Sequence, residues 1–215
     1  MRAGILHPET DSGNLDPIFR LRHEVFKERL GWEVRSINGR ETDDFDTAEA
    51  VYGAAYDGTG EIEGCFRLLP TTGRYMLKDT FGELLHGAPA PCDPRVLESS
   101  RFAVLPRQWR HNSRLALVEV TAELLVTQIT YCLEQGVEKV VSVTDVRFER
   151  VLKAAGLICQ RYGPPIRIGS TLAVAGWLDA HEETLRNVEA IRLGTLDKMA
   201  MPKPAAHRAP HVSAA

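Results

Sequence analysis

Four groups of polar and aromatic residues stand out in this sequence because their types suit ion binding and proton transfer. In chain order they are Arg22, Phe26 and Trp32; Glu41, Asp43 and Asp46; residues 64–71, which include Arg67; and Glu98, Ser99, Ser100, Arg101 and Phe102. Guanidinium groups bind carboxylates through paired hydrogen bonds, and a glutamate in an apolar environment can act as a base. These groups are therefore the candidate site.

The arginines in these groups need charged partners, because Arg67 and Arg101 lie in otherwise apolar segments that are typical of strands. A charge on a buried strand face is costly unless a partner neutralises it. The carboxylates that could pair with Arg22, Arg67 and Arg101 are Asp43, Asp46 and Glu98. Because side chains alternate along a strand, Glu98 and Arg101 should point to opposite faces unless a bulge intervenes. A purely architectural ion-pair network is the alternative for any one residue, whereas the whole set favours chemistry.

The motifs R-x3-F-x5-W, E-x-D-x-x-D, G-C-x-R-L-L-P-T and E-S-S-R-F follow one another, and together they resemble the acyl-homoserine-lactone synthase (autoinducer synthase) family. The likeness runs from about residue 20 to residue 104 and continues more weakly through Thr144 and residues 161–164. Each motif alone is weak, but four in order are specific. The resemblance implies an acyltransferase that makes a quorum-sensing signal, an N-acyl homoserine lactone. Its substrates would be S-adenosylmethionine and an acyl-carrier-protein thioester, with methylthioadenosine released.

The resemblance also implies roles for individual residues. The expected catalytic residues are Glu98, Asp43, Arg67 and Arg101, and the expected substrate-binding residues are Arg22, Phe26, Trp32, Asp46, Phe81, Ser100, Phe102 and Thr144. An α-amino group titrates near ~8 and a free glutamate near ~4.3, so burial of Glu98 would improve its match to the substrate amine. The aromatic residues are expected to line the adenosylmethionine pocket, and core packing is their alternative role.

Two features bear on the acyl donor. The stretch 105–114 has no glycine, although related acetyltransferases use a glycine-rich turn there to hold coenzyme A, so a carrier protein is favoured over acyl-CoA. Arg147, Arg150 and Lys153 are spaced by three on a predicted helix and would form a docking surface for an acidic carrier protein, or else a solvated face.

Thr144 bears on the type of acyl chain. The resemblance implies 3-oxo acyl chains, because a threonine at this position accompanies them in the family. Capping of the next helix is the alternative role of Thr144.

The elements that must position these residues can be predicted from periodicity and turn signals. We expect helices over residues 16–31, 81–85, 115–136, 146–155 and 181–191, and strands over residues 50–56, 61–69, 96–104, 137–144, 157–161 and 171–178, with a loop over 34–47. This order predicts a single α/β (α+β) domain over residues 1–198, with a mixed central sheet flanked by helices. It is similar to the N-acetyltransferase superfamily. Residues 199–215 lack periodicity and are expected to be a disordered tail.

The composition narrows the remaining possibilities. The chain has 215 residues, 44% of them hydrophobic, and a net charge of -3, which gives no overall tendency to bind nucleic acid. Four scattered cysteines are typical of a reduced, cytoplasmic protein, and they form no metal-binding pattern. No apolar run is expected to reach the ~20 residues of a membrane helix.

The expected enzyme needs no metal and no cofactor, because S-adenosylmethionine is a substrate. The competing hypotheses are a general N-acyltransferase that uses acyl-CoA and another amine, and a non-catalytic relative.

Overall fold

An eight-stranded mixed sheet forms the centre of the protein in the computed structural model, which describes residues 2–107 and 113–200. The strands are β1 (Arg2–Leu6), β2 (Ser36–Ile37), β3 (Arg40–Glu41), β4 (Val51–Tyr56), β5 (Ile62–Pro70), β6 (Val96–Val104), β7 (Lys139–Asp145), β8 (Gln160–Arg161), β9 (Ile166–Ile168) and β10 (Thr171–Asp179). The sheet order is β1-β4-β5-β6-β7-β10-β8, with β9 also pairing with β10, while β2 and β3 form a separate hairpin. The described pairs are antiparallel except β6 and β7, which are parallel.

Helices cover both faces of the sheet, as the sequence predicts. They are α1 (Pro8–Asp11), α2 (Asp16–Arg22), α3 (Met76–Asp79), α4 (Ser113–Glu134), α5 (Val146–Ala154) and α6 (Glu182–Ala200), with a π-helix (His23–Arg29) continuing α2 and 3-10 turns at Ser12–Asn14 and Gly82–Leu85. Side chains of α2 and α3 share one buried cluster with one face of the sheet, which we call the α2 face. Side chains of α4, α5 and α6 pack on the opposite face, the α4 face.

The first helix differs from its prediction at both ends. Leu15, not Asp16, is the N-cap residue, and the Asp16 carboxylate instead forms ion pairs with Arg20 and Arg40. The helix changes to a π-helix directly after Arg22 and ends before Gly31, which has a positive φ of 65°. A π-turn shifts the following side chains around the axis and is frequent at functional sites.

A β-bulge in β6 decides where its polar residues point. Arg67 on β5 pairs with Ser100, and beyond this pair two residues of β6, Arg101 and Phe102, lie opposite the single residue Phe66. Arg101 has a φ of 52°, the left-handed conformation that a bulge can require. The extra residue breaks the simple alternation that would put Glu98 and Arg101 on opposite faces.

As a result, the polar residues of β6 are collected on one side of the sheet. Glu98, Ser100 and Arg101 make their side-chain contacts on the α2 face. Phe102 instead packs on the α4 face, together with Phe66. The bulge is thus what brings Arg101 to the same face as Glu98.

The sheet divides between β6 and β7. Their parallel pairing runs only from Val96 with Lys139 to Ser99 with Ser142, although both strands continue further. The edge of β6 beyond Ser99 that faces β7 has no strand partner among the described residues. We call this opening the fork, because it connects the two faces of the sheet.

Several short elements were not predicted from the sequence. These are β1, α1, the β2–β3 hairpin inside the expected loop, α3 and β9, while the strand expected over residues 157–161 is reduced to β8. Segments this short carry too few residues to show a period. The last helix continues to Ala200, so the tail expected from residue 199 begins inside α6, and residues 201–215 lie outside the described part of the chain.

Helix α4 is more apolar than the sequence analysis allowed. Its segment Arg114–Glu134 is long and apolar enough to cross a membrane by length and composition, which corrects the expectation that no segment reaches that limit. However, 56% of this window is buried inside the protein. The helix packs between the sheet and α6, which is typical of the central helix of a globular core.

Candidate active site

Three arginines and three carboxylates form one contiguous group of ion pairs on the α2 face, which we call the charged cluster. Its members are Arg22, Arg67, Arg101, Glu41, Asp43 and Asp46. Opposite charges in equal number reduce the cost of burying such a group. Glu41 is the third carboxylate, whereas Glu98 forms no ion pair within the described residues. This corrects the partner set expected from the sequence.

Arg22 is the innermost arginine of the charged cluster. Its Nε donates to Glu41 Oε2 at 2.5 Å, and its two terminal nitrogens donate to the two oxygens of Asp46 at 2.7 and 3.0 Å. The Tyr52 hydroxyl also donates to Asp46, at 2.7 Å. Arg22 is completely buried and Asp46 nearly so. Both residues therefore support the cluster through ion pairs, and their predicted contact with the substrate stays a prediction.

Arg67 connects β5 to the centre of the cluster. Its Nη1 donates to Asp43 at 2.6 Å and to Asp46 at 2.7 Å, and its Nε donates to the Ser100 hydroxyl at 3.1 Å. Its Nη2 lies 3.2 Å from the sulfur of Met76. Every guanidinium nitrogen is thus engaged in a completely buried group. Arg67, with Ser100 on its Nε, therefore positions Asp43.

Arg101 and Asp43 form the exposed edge of the charged cluster. Arg101 Nη2 lies 2.7 Å from Asp43 Oδ2, and its Nε and Nη2 are both 3.1 Å from Glu41 Oε1. Its third nitrogen, Nη1, has only the sulfur of Met76 nearby, at 3.6 Å, among the described residues. The side chains of Arg101 and Asp43 are 12% and 16% exposed. They present a cationic donor and an anionic acceptor side by side.

The protonation states of this edge follow from its surroundings. Burial alone would raise the pKa of Asp43, but hydrogen bonds from Arg67 and the charges of Arg67 and Arg101 hold it below its ordinary value. Burial lowers the pKa of Arg101 despite Glu41 and Asp43. A guanidinium remains charged near neutrality even so. The edge is therefore zwitterionic at neutral pH.

Glu98 lies beside the cluster, under the first turn of α3. Its two carboxylate oxygens accept the backbone N–H groups of Met76, at 2.8 Å, and Leu77, at 2.6 Å. The side chain is almost completely buried, and this burial raises the Glu98 pKa to about 7 although both N–H groups oppose the shift. A carboxyl group with this pKa can accept a proton from an amine near neutral pH.

The aromatic residues expected to form a pocket wall are together, but they do not have equal access to it. The rings of Phe26 and Trp32 are stacked, 5.1 Å apart and 7° from parallel. The Arg101 guanidinium lies over the buried Phe26 ring at 5.6 Å. Phe26 therefore supports Arg101, while Trp32 and Phe81 are half-buried and retain exposed surface.

Phe102 lies away from the charged cluster. Its ring packs against Phe66 at 6.1 Å and Phe148 at 5.5 Å on the α4 face. The bulge at Arg101 explains this position, because it separates the two neighbouring side chains onto opposite faces. A contact between Phe102 and a substrate is therefore possible only from the α4 side of the fork.

Thr144 also lies on the α4 face, near the end of β7. It pairs with Val174 of β10, and its hydroxyl makes one long hydrogen bond, 3.5 Å, to the carbonyl of Asp145. The cap of α5 is Asp145, whose carboxylate accepts the Arg147 N–H at 2.5 Å. The capping role considered for Thr144 is therefore wrong.

The predicted docking surface on α5 contains fewer unpaired charges than expected. Arg147 and Arg150 are exposed and form no ion pair with any residue that the structure describes. Lys153 is paired with Glu149 at 3.3 Å, and Glu149 also binds Arg161 at 2.5 Å. We therefore define the basic patch as Arg147 and Arg150. Lys153 instead belongs to the group of ion pairs that connects α5 to Arg161 of β8.

Three residues of the site were not assigned a role from the sequence. Glu41 is the first letter of the E-x-D-x-x-D motif, so a signal for it was present. Tyr52 and Met76 lie in apolar segments, where nothing in the pattern distinguishes a residue that contacts charged groups from a residue of the core. Their roles depend on the strand register and on α3.

The mixed sheet divides at a fork, with a zwitterionic edge and a buried glutamate on one face and apolar helices on the other. This architecture is an N-acetyltransferase-like fold. The family profile of the autoinducer synthases matches residues 7–188. The acyl-homoserine-lactone synthase of Pseudomonas aeruginosa is 39% identical over 178 residues, which cover 82% of this chain and 87% of that protein.

Two solved structures are similar over most of their length. The synthase LasI has a TM-score of 0.76 at 37% identity, covering 88% of this chain and 93% of LasI. BjaI, a CoA-dependent synthase solved with S-adenosylmethionine and isopentyl-CoA, has a TM-score of 0.74 at 27% identity, covering 93% of this chain and 90% of BjaI. The chain belongs to the autoinducer synthase family, and its activity is that of an acyl-homoserine-lactone synthase.

Proposed function

We propose that this synthase joins S-adenosylmethionine to an acyl chain carried on an acyl-carrier protein and releases methylthioadenosine. The observation that carries the proposal is the zwitterionic edge formed by Arg101 and Asp43. S-adenosylmethionine has a carboxylate, an ammonium group and a sulfonium centre. Arg101 Nη1 is suited to the carboxylate and Asp43 to the positive charge. The presence of S-adenosylmethionine in BjaI supports this assignment.

The reaction needs a base, hydrogen-bond donors for the oxyanion that develops on the thioester carbonyl, and two leaving groups. Glu98 takes a proton from the substrate amine, directly or through one water, and the nitrogen then attacks the thioester carbonyl carbon. The thioester carbon–sulfur bond breaks, the carrier thiol leaves and the amide remains. We assign the stabilisation of the oxyanion to backbone N–H groups of residues 100–102 at the fork. The substrate carboxylate then attacks the γ-carbon, which breaks the bond to the sulfonium, releases methylthioadenosine and closes the lactone.

The proposal needs no metal and no cofactor, because the thioester and the sulfonium are both already activated leaving groups. We further propose that the enzyme works in the cytoplasm, where its four cysteines would remain reduced. All four are free in the structure.

The acyl donor can be identified by turnover. Purified enzyme would be given S-adenosylmethionine with either an acyl-carrier protein or an acyl-CoA of the same chain, and methylthioadenosine and acyl homoserine lactone would be measured. We expect higher kcat/KM for the carrier protein, because the stretch 105–114 has no glycine and the basic patch is exposed. The similarity to the CoA-dependent BjaI is the specific observation in favour of acyl-CoA, and a higher kcat/KM for acyl-CoA would refute our assignment.

The activity should depend on the ionisation of Glu98. Because its pKa is about 7 and the carboxylate is the active form, kcat/KM should fall about tenfold per pH unit below that value. The measurement is the pH profile of kcat/KM for amide formation, with circular dichroism to verify folding at each pH. A profile that is flat between about pH 5 and 7 would contradict the role of Glu98 as the base.

Thr144→Val should test whether a hydroxyl on the α4 face contacts a 3-oxo acyl chain, which we propose as the natural donor. Removal of one neutral hydrogen bond would lower the preference for 3-oxo over unsubstituted chains by at most about tenfold. The melting temperature should hardly change, because Asp145 is the helix cap. Asp145→Ala is the matched control, since it should lower the melting temperature and leave the chain preference unchanged. An unaltered chain preference in Thr144→Val would exclude the contact.

Reversal of charge in the basic patch should weaken carrier-protein binding alone. In the variant with Arg147→Glu and Arg150→Glu, KM for the carrier protein should rise while KM for S-adenosylmethionine stays constant. The wild-type constant for the carrier protein should also rise with salt. Arg2→Glu, an exposed residue of the distant edge strand β1, is the control and should have no effect. If KM for the carrier protein is the same in the charge-reversed variant as in the wild type, the patch is only a solvated helix face.

A further inference from the structure

Met76 connects two parts of the site, the buried glutamate and the charged cluster. Its backbone N–H donates to Glu98 Oε2 at 2.8 Å, and its sulfur Sδ lies 3.2 Å from Arg67 Nη2 and 3.6 Å from Arg101 Nη1. The residue is only 7% exposed, so these contacts are inside the protein. Two guanidinium groups directed at one sulfur indicate a polar role for this side chain in addition to packing.

The contact with Arg101 is the one that depends on the sulfur. Arg67 Nη2 also donates to Asp43 Oδ2, at 3.2 Å, and would keep this partner without the sulfur. Arg101 Nη1 has no other acceptor among the residues that the structure describes. A thioether is a weak, polarizable acceptor. It can therefore hold Nη1 without neutralising the charge that a substrate carboxylate must meet.

The sulfur completes the fixation of the Arg101 guanidinium group. Nε and Nη2 are bound by Glu41 and Asp43, and the sulfur of Met76 holds the remaining nitrogen, Nη1. Each terminal nitrogen of a guanidinium group has two hydrogens, so Nη1 can keep one directed at the sulfur and offer the other to a ligand. Because the Arg101 side chain is 12% exposed, a methylene in place of the sulfur would leave Nη1 to water, which a ligand must then displace.

The backbone of Met76 holds the base from the same helix. Helix α3 has four residues and no side-chain hydrogen bond at its N-cap, and its first two N–H groups donate to the Glu98 carboxylate. One short helix thus contacts Glu98 through its backbone and Arg101 through a side chain. The amine and the carboxylate of S-adenosylmethionine are bonded to the same carbon. The base and the carboxylate-binding group must therefore be held at a fixed separation.

We infer that Met76 is a positioning residue of the synthase, whose sulfur holds Arg101 Nη1 for the substrate carboxylate while its backbone N–H holds Glu98 beside the substrate amine. The inference rests on the proposed function, in which Arg101 binds the carboxylate and Glu98 is the base. The sulfur contributes to the affinity for S-adenosylmethionine, and it does not contribute to the ionisation of Glu98.

Replacement of a single atom tests the role of the sulfur. The chain has four methionines, and the other three, Met1, Met199 and Met201, are near its two ends. Protein produced in a methionine auxotroph with norleucine, in which a methylene replaces the sulfur, therefore loses one thioether from residues 2–198, that of Met76. Affinity for S-adenosylmethionine, measured by calorimetry, should fall about three- to tenfold, the effect of one hydrogen bond. The pH profile of kcat/KM should keep its midpoint, because the backbone N–H groups that bind Glu98 remain.

Two controls separate the sulfur from packing and from the other groups of the substrate. Selenomethionine has a soft acceptor in the same place and should retain the affinity of the methionine protein. Decarboxylated S-adenosylmethionine lacks the group that Arg101 binds, so the methionine and norleucine proteins should bind it equally. The melting temperatures of the three proteins should agree closely, because the side chains have nearly the same size and shape.

The outcomes separate this inference from the proposed function. Equal affinity of the methionine and norleucine proteins for S-adenosylmethionine, an equal loss with selenomethionine or with the decarboxylated analogue, or a shifted pH midpoint would each overturn the inference alone. If the methionine protein binds S-adenosylmethionine and its decarboxylated analogue equally tightly, the assignment of the carboxylate to Arg101 fails, and the inference fails with it. If the norleucine protein does not fold, Met76→Leu, which also lacks the sulfur and has a similar volume, decides by the same measurements.

Discussion

Glu98→Gln is expected to lose about 10²–10⁴-fold in kcat for amide formation, the usual loss on removal of a general base. The amide side chain has nearly the same size, but it cannot accept a proton at neutral pH. It can also accept only one of the two backbone N–H groups from Met76 and Leu77 that the carboxylate binds. We therefore expect a loss of about 1–3 kcal/mol in the free energy of unfolding, which the sequence alone did not suggest.

The loss of the base must be distinguished from the loss of stability. Activity would be measured at a temperature at which circular dichroism shows that Glu98→Gln is folded, together with S-adenosylmethionine binding by calorimetry. A missing base leaves binding largely intact and kcat low at every temperature tested. If the folded variant retained wild-type kcat at neutral pH, Glu98 would be only an anchor for α3.

Arg22→Met is expected to destabilise the protein by about 3–5 kcal/mol, the cost of leaving buried charges without a partner. Arg22 is completely buried, and its loss would leave the charged cluster with one more carboxylate than arginine. Urea unfolding followed by circular dichroism would give the change in free energy. Arg20→Met is the matched control, because Arg20 forms an exposed pair with Asp16 on the same helix and should cost no more than about 1 kcal/mol.

A second substitution tests whether the effect comes from the unbalanced charge. Arg22→Met combined with Glu41→Gln restores the balance of two arginines and two carboxylates in the cluster. The double variant should therefore be more stable than Arg22→Met alone, a coupling that a double-mutant cycle measures directly. Equal losses for Arg22→Met and Arg20→Met, or strict additivity in the cycle, would show that the cluster is not held by charge pairing.

Much of the fold and of the site could be predicted from local pattern. The long helix, the helix α5 and the strands β4, β5, β6, β7 and β10 follow from periodicity and turn signals within single segments. The motifs identified the arginines, Asp43, Asp46 and Glu98. Arg67 and Arg101 were also conspicuous as charged residues inside apolar segments. Elements of two to five residues, such as β1 and the β2–β3 hairpin, were missed because they are too short to show a period.

The sequence by itself thus determined the enzyme family, the sheet with helices on both faces, and which residue types meet at the site. Only the tertiary structure decided how they meet. Arg101 joins Glu98 on one face because a bulge breaks the alternation. Glu41 replaces Glu98 as an ion-pair partner because the Glu98 carboxylate instead accepts the first backbone N–H groups of α3. Side-chain direction and hydrogen-bond satisfaction depend on register and on contacts between distant segments, which local sequence patterns do not contain.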